Sequence, residues 1–303
     1  MTSINTNNAA TAALQTLRSI NSNLQDTQNA VSSGLRISKA SDNAAYWSIS
    51  TSMKSDNSAI GAVSDALGLG AAKVDTASTA VTSAIDVVGQ IKDKLVTAME
   101  GSVDKGAVQE EIGQLQAQLK SVAQSASFNG ENWVMAADGD SASVVSSFIR
   151  GTNGTVSVST TSYKFDSGAT GNVLFGSNSG TIDTTSGILG TVDSTVSASV
   201  FSLDISSMTS GQISSALDMV QTALNSLTSM GSKLGSISSR IDLQTSFASS
   251  LSDSIQSGVG KLVDADMEEE SSKLSALQTQ QQLAVQSLSI ANSSTQSILS
   301  LFR

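Results

Sequence analysis

Apolar positions recur every seven residues along two long stretches of the chain. Tyr46, Met53, Ile60, Leu67, Val74, Val81, Val88 and Leu95 make one series. Ile213, Val220, Leu227, Leu234, Ile241, Ala248, Ile255 and Leu262 make the other. With 39% of residues hydrophobic, a random frame yields eight such hits roughly once in two thousand. Val63, Ala77 and Ile85 widen the first seam; Leu217, Leu224 and Val259 widen the second. Sustained heptads of this kind predict coiled-coil-like helices, each about 74 Å long at the rise of an α-helix. Two seams of equal length, far apart in sequence, predict an antiparallel pair.

Shorter helical patterns flank them. Ile112, Leu115, Leu119, Val122 and Ala126 predict a third helix, separated from the first long one by Gly101 to Gly106 and capped by Asp104. Near the start, Ala10, Ala13, Leu17, Ile20, Leu24, Thr27 and Val31 step by three and four. Near the finish Leu274, Leu277, Gln281, Ala284, Leu288, Ala291, Thr295, Ile298 and Phe302 do the same. Ala, Thr and Gln at seam positions make both terminal helices weak alone, so each needs a partner. Polar breaks, around Gly34 to Asn43 and Asp264 to Ser272, set them off from the long helices.

From about Phe128 to Ser210 the pattern changes. The segment is rich in Gly, Ser and Thr, with Arg150 and Lys164 as its basic residues. Val156 to Val158, Tyr163 to Phe165, Val173 to Phe175 and Val200 to Leu203 read as brief strands between turns. The predicted fold is mainly α: a long antiparallel coiled-coil-like helical rod with paired N- and C-terminal helices and a small central β-hairpin region. The order is palindromic, so both termini are expected at one end.

Composition narrows the chemistry. The chain of 303 residues has no His, Cys or Pro. There is therefore no Ser–His or Cys–His nucleophile pair, no thiolate or imidazole metal site and no disulfide. A net charge of −10 argues against nucleic acid and anionic membrane surfaces as partners. Absence of proline favours long uninterrupted helices and removes the slow cis/trans step from refolding. That suits a protein that crosses a membrane unfolded. The first residues, Met1 to Asn8, contain neither a basic nor an apolar region, so they do not read as a cleavable signal peptide. Leu274 to Phe302 is uncharged, yet Gln278, Gln280, Gln281, Gln282 and Gln286 make it too polar for hydrocarbon.

Other constellations read as structural. Asp264, Asp266, Glu268, Glu269 and Glu270 fit a solvated break with acids at a helix N-terminus better than a cation site. Asp26 with Asp42, and Glu110 with Glu111, read as surface carboxylates. Gly68-Leu69-Gly70 lacks the strand and Lys-Ser/Thr context of a phosphate loop. No cofactor and no metal is implied.

Linked motifs then point to a family. Ile4 to Asn7, Val31-Ser-Ser-Gly-Leu-Arg-Ile37 and Ser41-Asp-Asn-Ala-Ala45 resemble the N-terminal signature of bacterial flagellins. Phe128-Asn-Gly130 resembles the family's turn into its β-hairpin. Leu234-Gly235, Ser289-Ile-Ala-Asn292 and Ile298-Leu-Ser-Leu-Phe-Arg303 resemble its C-terminal region. The resemblance covers roughly 1–135 and 210–303. Tyr46-Trp47 and Val263-Asp-Ala-Asp266 look most like flagellins of soil alphaproteobacteria, the rhizobial type.

The resemblance implies a subunit that self-assembles into the helical flagellar filament for swimming motility. No enzymatic activity is expected, and the protease insert of a few relatives, which needs His, is excluded. Residues 1–43 and 264–303 would form the terminal core helices, 44–127 and 211–263 the long helical domain, and 128–210 the central excursion. The expected assembly interface is Leu14, Leu17, Leu24, Val31, Leu288, Ile298, Leu301 and Phe302. Implied partners are copies of itself, sister flagellins, the filament cap, the hook-junction proteins and a cytoplasmic export chaperone. The expected location is the extracellular filament, reached by the flagellar type III route. A hook–filament junction protein of the same family is the alternative. The segment that plant receptors detect maps to about Asn29–Ser50, where Tyr46-Trp47 departs from the family pattern. Gln90 to Leu95 departs likewise from the helix that vertebrate receptors detect. Both departures predict weak activation in receptor-reporter assays.

Overall fold

The computed structural model describes residues 7–151, 155–178 and 180–301, with side chains as far as residue 293. Five helices carry it: α1 (Asn8–Ser33), α2 (Ala44–Ala98), α3 (Lys105–Ser125), α4 (Ser210–Val263) and α5 (Met267–Leu301). The strands are β1 (Ser127–Phe128), β2 (Glu131–Asn132), β3 (Met135–Ala136), β4 (Ser141–Arg150), β5 (Val156–Lys164), β6 (Phe175–Asn178) and β7 (Thr181–Asp183). The chain divides into two compact units, one of Met1–Ser58 with Ser252–Arg303 and one of Ala59–Leu251.

In the unit Ala59–Leu251, the heptad residues Ile60, Leu67, Val74, Val81, Val88 and Leu95 of α2 are buried, as are Ile213, Val220, Leu227, Leu234, Ile241 and Ala248 of α4. Their register is antiparallel. Lys92 Nζ donates to Gln221 Oε1 at 2.7 Å, and Gly231 faces Val81 Cγ1. The third helix buries Ile112, Leu119 and Ala123 in the same core. Asp104 caps it through the Gly106 N–H at 2.8 Å, and a Lys94–Glu111 ion pair ties it to α2.

The central excursion is more varied than a set of hairpins. Asn129 (φ 52°) and Gly130 (φ 84°) both take left-handed conformations, as the tightest hairpin turn requires, and join β1 to β2. A long antiparallel hairpin, β4–β5, follows, with a bulge between Val145 and Ser147. In the third sheet β6 lies between β3, which it pairs in parallel, and β7. Of the four expected strands, Val156 to Val158 lies in β5 and Tyr163–Lys164 ends it, whereas Val173 and Leu174 precede β6 and only Phe175 belongs to it. Val200 to Leu203 forms turns and no strand. Its backbone is satisfied by side chains of α3: Gln116 Nε2 donates to the carbonyls of Val200 and Leu203, both at 3.0 Å. Gln109 Nε2 donates to Leu203 O at 3.2 Å while its Oε1 accepts from Ile205 N at 2.8 Å. A segment hydrogen-bonded by amide side chains has no need of a neighbouring strand.

The hairpin sits against α2 where a glycine permits it. A Cβ on Gly70 would stand 2.3 Å from Val144 Cγ1, and Val144 is buried. Gly70→Ala is expected to cost about 1–3 kcal/mol by overpacking. Guanidinium unfolding should show that loss, and Val144→Ala added to it should restore part.

Behind the hairpin, Trp133 stacks on Tyr163 with ring centroids 5.6 Å apart, and Phe165 meets both edge-on. Burial pushes the Tyr163 phenol up to about 12, opposed by the amide of Asn172. A raised folded value means the folded state keeps its proton after the unfolded chain has lost its own. Tyr163 therefore leaves stability unchanged below the ordinary phenol range and lowers it as pH rises from about 10 towards 12. Tyr163→Phe should flatten that window in an alkaline unfolding series.

The other unit contains α1, α5, the first turns of α2 and the last turns of α4. Asn7 caps α1 through the Ala10 N–H at 2.9 Å. Gly34 ends it at φ 71°, returning its N–H to Ala30 O. The first polar break then runs beside the second. Arg36 N donates to Val263 O at 2.7 Å and Ala265 N to Gly34 O at 2.9 Å. Ile37 buries itself with Val259 and Val263, with Met53 and Ile255 packed around them. Within the first break, the Lys39 and Ser38 N–H groups hold the Asp42 carboxyl below the usual carboxylate range.

Two expectations change here. Tyr46 is 42% exposed: Met53 meets Gly258, so antiparallel pairing puts Tyr46 past Val263, the last residue of α4. The second break ends at Asp266 and does not reach Ser272, because Asp266 caps α5 through the N–H groups of Glu268 and Glu269. Glu268, Glu269 and Glu270 thus occupy the first helical turn, where the helix dipole favours anions.

The terminal helix pair as a candidate assembly surface

The features that single out α1 and α5 are their composition and how few side chains they bury fully. Residues stepping by three and four place Ala10, Ala13, Leu17, Ile20, Leu24, Thr27 and Val31 along one stripe of α1. Leu274, Leu277, Gln281, Ala284, Leu288 and Ala291 form the matching stripe of α5. All of these are buried or half-buried, and they are the positions the sequence pattern singles out. Asn7 Nδ2 donates to Ala291 O at 3.0 Å and Gln281 Nε2 to Asn21 Oδ1 at 2.7 Å. The helices therefore run antiparallel.

The seam is thin. Of α1 only Thr27 is buried, and its hydroxyl has no hydrogen-bond partner. On α5 only Leu277 and Ala284 are buried among the residues with described side chains. A groove of about 430 Å³ runs along the pair, lined by Ala13, Thr16, Ile20, Gln280, Leu283, Ala284 and Ser287. Leu283, Val285 and Ile290 are each more than half exposed. These three apolar side chains of α5 are left in water by the pair alone.

Of the expected interface residues, Leu17, Leu24, Val31 and Leu288 stand half-buried in the seam. Leu14 is 36% exposed on the flank of α1. Ile298 and Leu301 continue α5 as backbone, their side chains lying outside the described part, and Phe302 lies outside the described residues. Leu283, Val285 and Ile290 were not expected as interface residues. The available signal was the seven-residue spacing of Leu283 and Ile290, obscured by the serines between them.

A helical pair with an unfinished seam at the joined ends of the chain is the arrangement that family comparison then explains. Residues 4–137 match the bacterial flagellin N-terminal helical region, and residues 217–302 match the bacterial flagellin C-terminal helical region. The chain belongs to the bacterial flagellin family. It is of the rhizobial type. It is 46% identical to Flagellin A of Rhizobium meliloti (strain 1021) over 397 aligned positions, and 48% identical to Flagellin C of the same strain over 324. A flagellin of Brucella melitensis biotype 1 is 49% identical over 304. Each alignment covers 100% of both chains. A crystal structure of Bacillus cereus flagellin covers 62% of this chain and 88% of its own at 16% identity, with a TM-score of 0.40.

This flagellin is accordingly a structural subunit of the extracellular flagellar filament, assembling with copies of itself and other flagellins. The relatives named here are all flagellins, and nothing favours the hook-junction reading. Among the described residues no helix is long and apolar enough to cross a membrane.

Proposed function

We propose that the terminal helices of this flagellin form the inner core of the filament, with Leu17, Leu24, Val31 and Leu288 at its centre and Leu14, Ile298, Leu301 and Phe302 completing it. The observation that carries this reading is the half-buried seam: a helix of 26 residues with Thr27 as its one buried side chain gains little from folding against one partner. Burial against neighbouring subunits supplies what is missing, so ordering of the ends and polymerisation are coupled. Subunit contacts that repeat without closing into a ring generate a helical filament.

On this reading residues 1–43 and 264–303 make the terminal core helices, 44–127 and 211–263 the long helical domain, and 128–210 the central excursion. The protein acts by assembly rather than by catalysis. Export through the flagellar type III route follows from the need to cross the envelope unfolded, for which a chain without proline is suited. The filament cap, the hook-junction proteins and a cytoplasmic chaperone binding the C-terminal region are the further partners. The test is electron cryomicroscopy of filaments grown from purified, depolymerised and re-seeded protein. Both termini are expected around the lumen. Filaments with α1 and α5 on the outer surface would overturn the assignment.

A further inference from the structure

The two flanks of the α1–α5 pair differ in shape, and the difference follows from helical geometry. Ala13 and Ala284 both line the groove. At about 100° per residue, Thr16 and Ser287 stand three positions on from these alanines and fall on the groove flank, which they also line. Leu14 and Val285 stand one position on, and fall on the opposite flank. Both are exposed, at 36% and 53%. Because α1 and α5 are antiparallel, with Asn7 at Ala291 and Asn21 at Gln281, Leu14 and Val285 lie at the same level as the groove. One face of the pair thus presents two apolar knobs, and the other an uncharged cleft of small and apolar residues with one amide, Gln280.

The groove flank also carries a second heptad. Leu283, Ser287 and Ile290 step by four and three, and in the sequence the series continues through Ser294, Ser297 and Leu301. This series is separate from the seam that meets α1. A serine between the larger Leu283 and Ile290 leaves a hole of the kind that receives a knob of another helix.

We propose that the groove receives the Leu14–Val285 face of a second copy of this chain, so that terminal helix pairs stack knob face into groove face. The inference rests on the reading that these helices form the filament core, and adds which face meets which. Knob and groove lie on opposite flanks of one molecule, so the contact is heterologous. Each copy that fills a groove offers its own groove to the next, and the series does not close on itself.

The chain has no cysteine, so introduced pairs report without background. One full-length variant carries Leu14→Cys with Ser287→Cys, a second Val285→Cys with Thr16→Cys. In each, the two thiols point to opposite flanks and cannot meet within one chain. Oxidised filaments of either variant should run as a ladder of covalent dimers, trimers and longer species under denaturing conditions, and the dilute monomers should not. Filaments without a ladder in both variants would overturn the proposal, as would dimers from Leu14→Cys alone, which would mean like faces meeting. A charge pair gives an independent reading. Ser287→Glu should raise the critical concentration for seeded assembly about tenfold, and Leu14→Lys in the same chain should recover it. A double variant no better than the worse single one would also overturn the stacking. Leu288→Asp separates the two levels. Normal assembly by that variant would sink the core assignment itself, whereas its failure beside filaments without ladders would leave that assignment standing and remove the stacking alone.

Discussion

Leu17→Asp and Leu288→Asp are each expected to stop filament growth while leaving the unit Ala59–Leu251 folded. Both side chains stand in the seam between α1 and α5, which assembly would close to water. An uncompensated carboxylate there costs about 3 kcal/mol per subunit, which raises the critical concentration about a hundredfold or more. The unit Ala59–Leu251 should scarcely register the change, because both residues belong to the other unit. The unit Ala59–Leu251 keeps its own core of Leu95, Ile112, Leu227 and Leu234. Seeded assembly followed by sedimentation reads the first effect, and far-ultraviolet circular dichroism with thermal melting reads the second. Normal filaments from either variant would refute the interface; a collapsed melting transition would show that the seam also supports the monomer.

The largest effect on stability is expected from Gly187→Ala. Gly187 has φ +90°, and a Cβ there would stand 2.6 Å from both Leu174 O and Phe175 Cα. These are backbone atoms, so no side-chain rotation relieves the clash. The neighbouring Ile188 and Leu189 N–H groups donate to Val173 O and Leu174 O, both at 3.0 Å, and hold the two segments at that separation. Unfavourable φ and overpacking together should cost about 3 kcal/mol or more, lowering Tm by several degrees. Hydrogen exchange should accelerate around residues 173–175 and 187–189 and stay unchanged in α1. A melting temperature equal to that of the parent chain would show that the close approach is not maintained in solution.

The helices were legible because their information is local and periodic. Heptad spacing located both long seams, and steps of three and four located all but one of the covered positions from Ala10 to Val31, Ala30 being the exception. Asp104 announced its helix start, and Asn129-Gly130 their hairpin. Elsewhere the deciding partner was distant. Tyr46 fits the first heptad and is exposed because α4 ends at Val263, over two hundred residues away in the chain. Val200 to Leu203 has the composition of a strand and is held by Gln109 and Gln116, whose surface-like appearance in α3 gives no hint of it. The pairing of Gly34 to Ile37 with the second polar break follows the same logic, since two polar stretches carry no pattern that marks them as neighbours.

The sequence by itself determined the helical architecture, its division into strong and weak seams, the classes of chemistry excluded and the family. Hydrophobic period, side-chain inventory and motif order are properties of the chain before it folds. Only the tertiary structure decided which flank of α1 and α5 is grooved and which carries knobs. Exposure is a difference between what a residue could bury and what its neighbours cover, and Leu14 and Leu17 differ in that respect through the position of α5 alone.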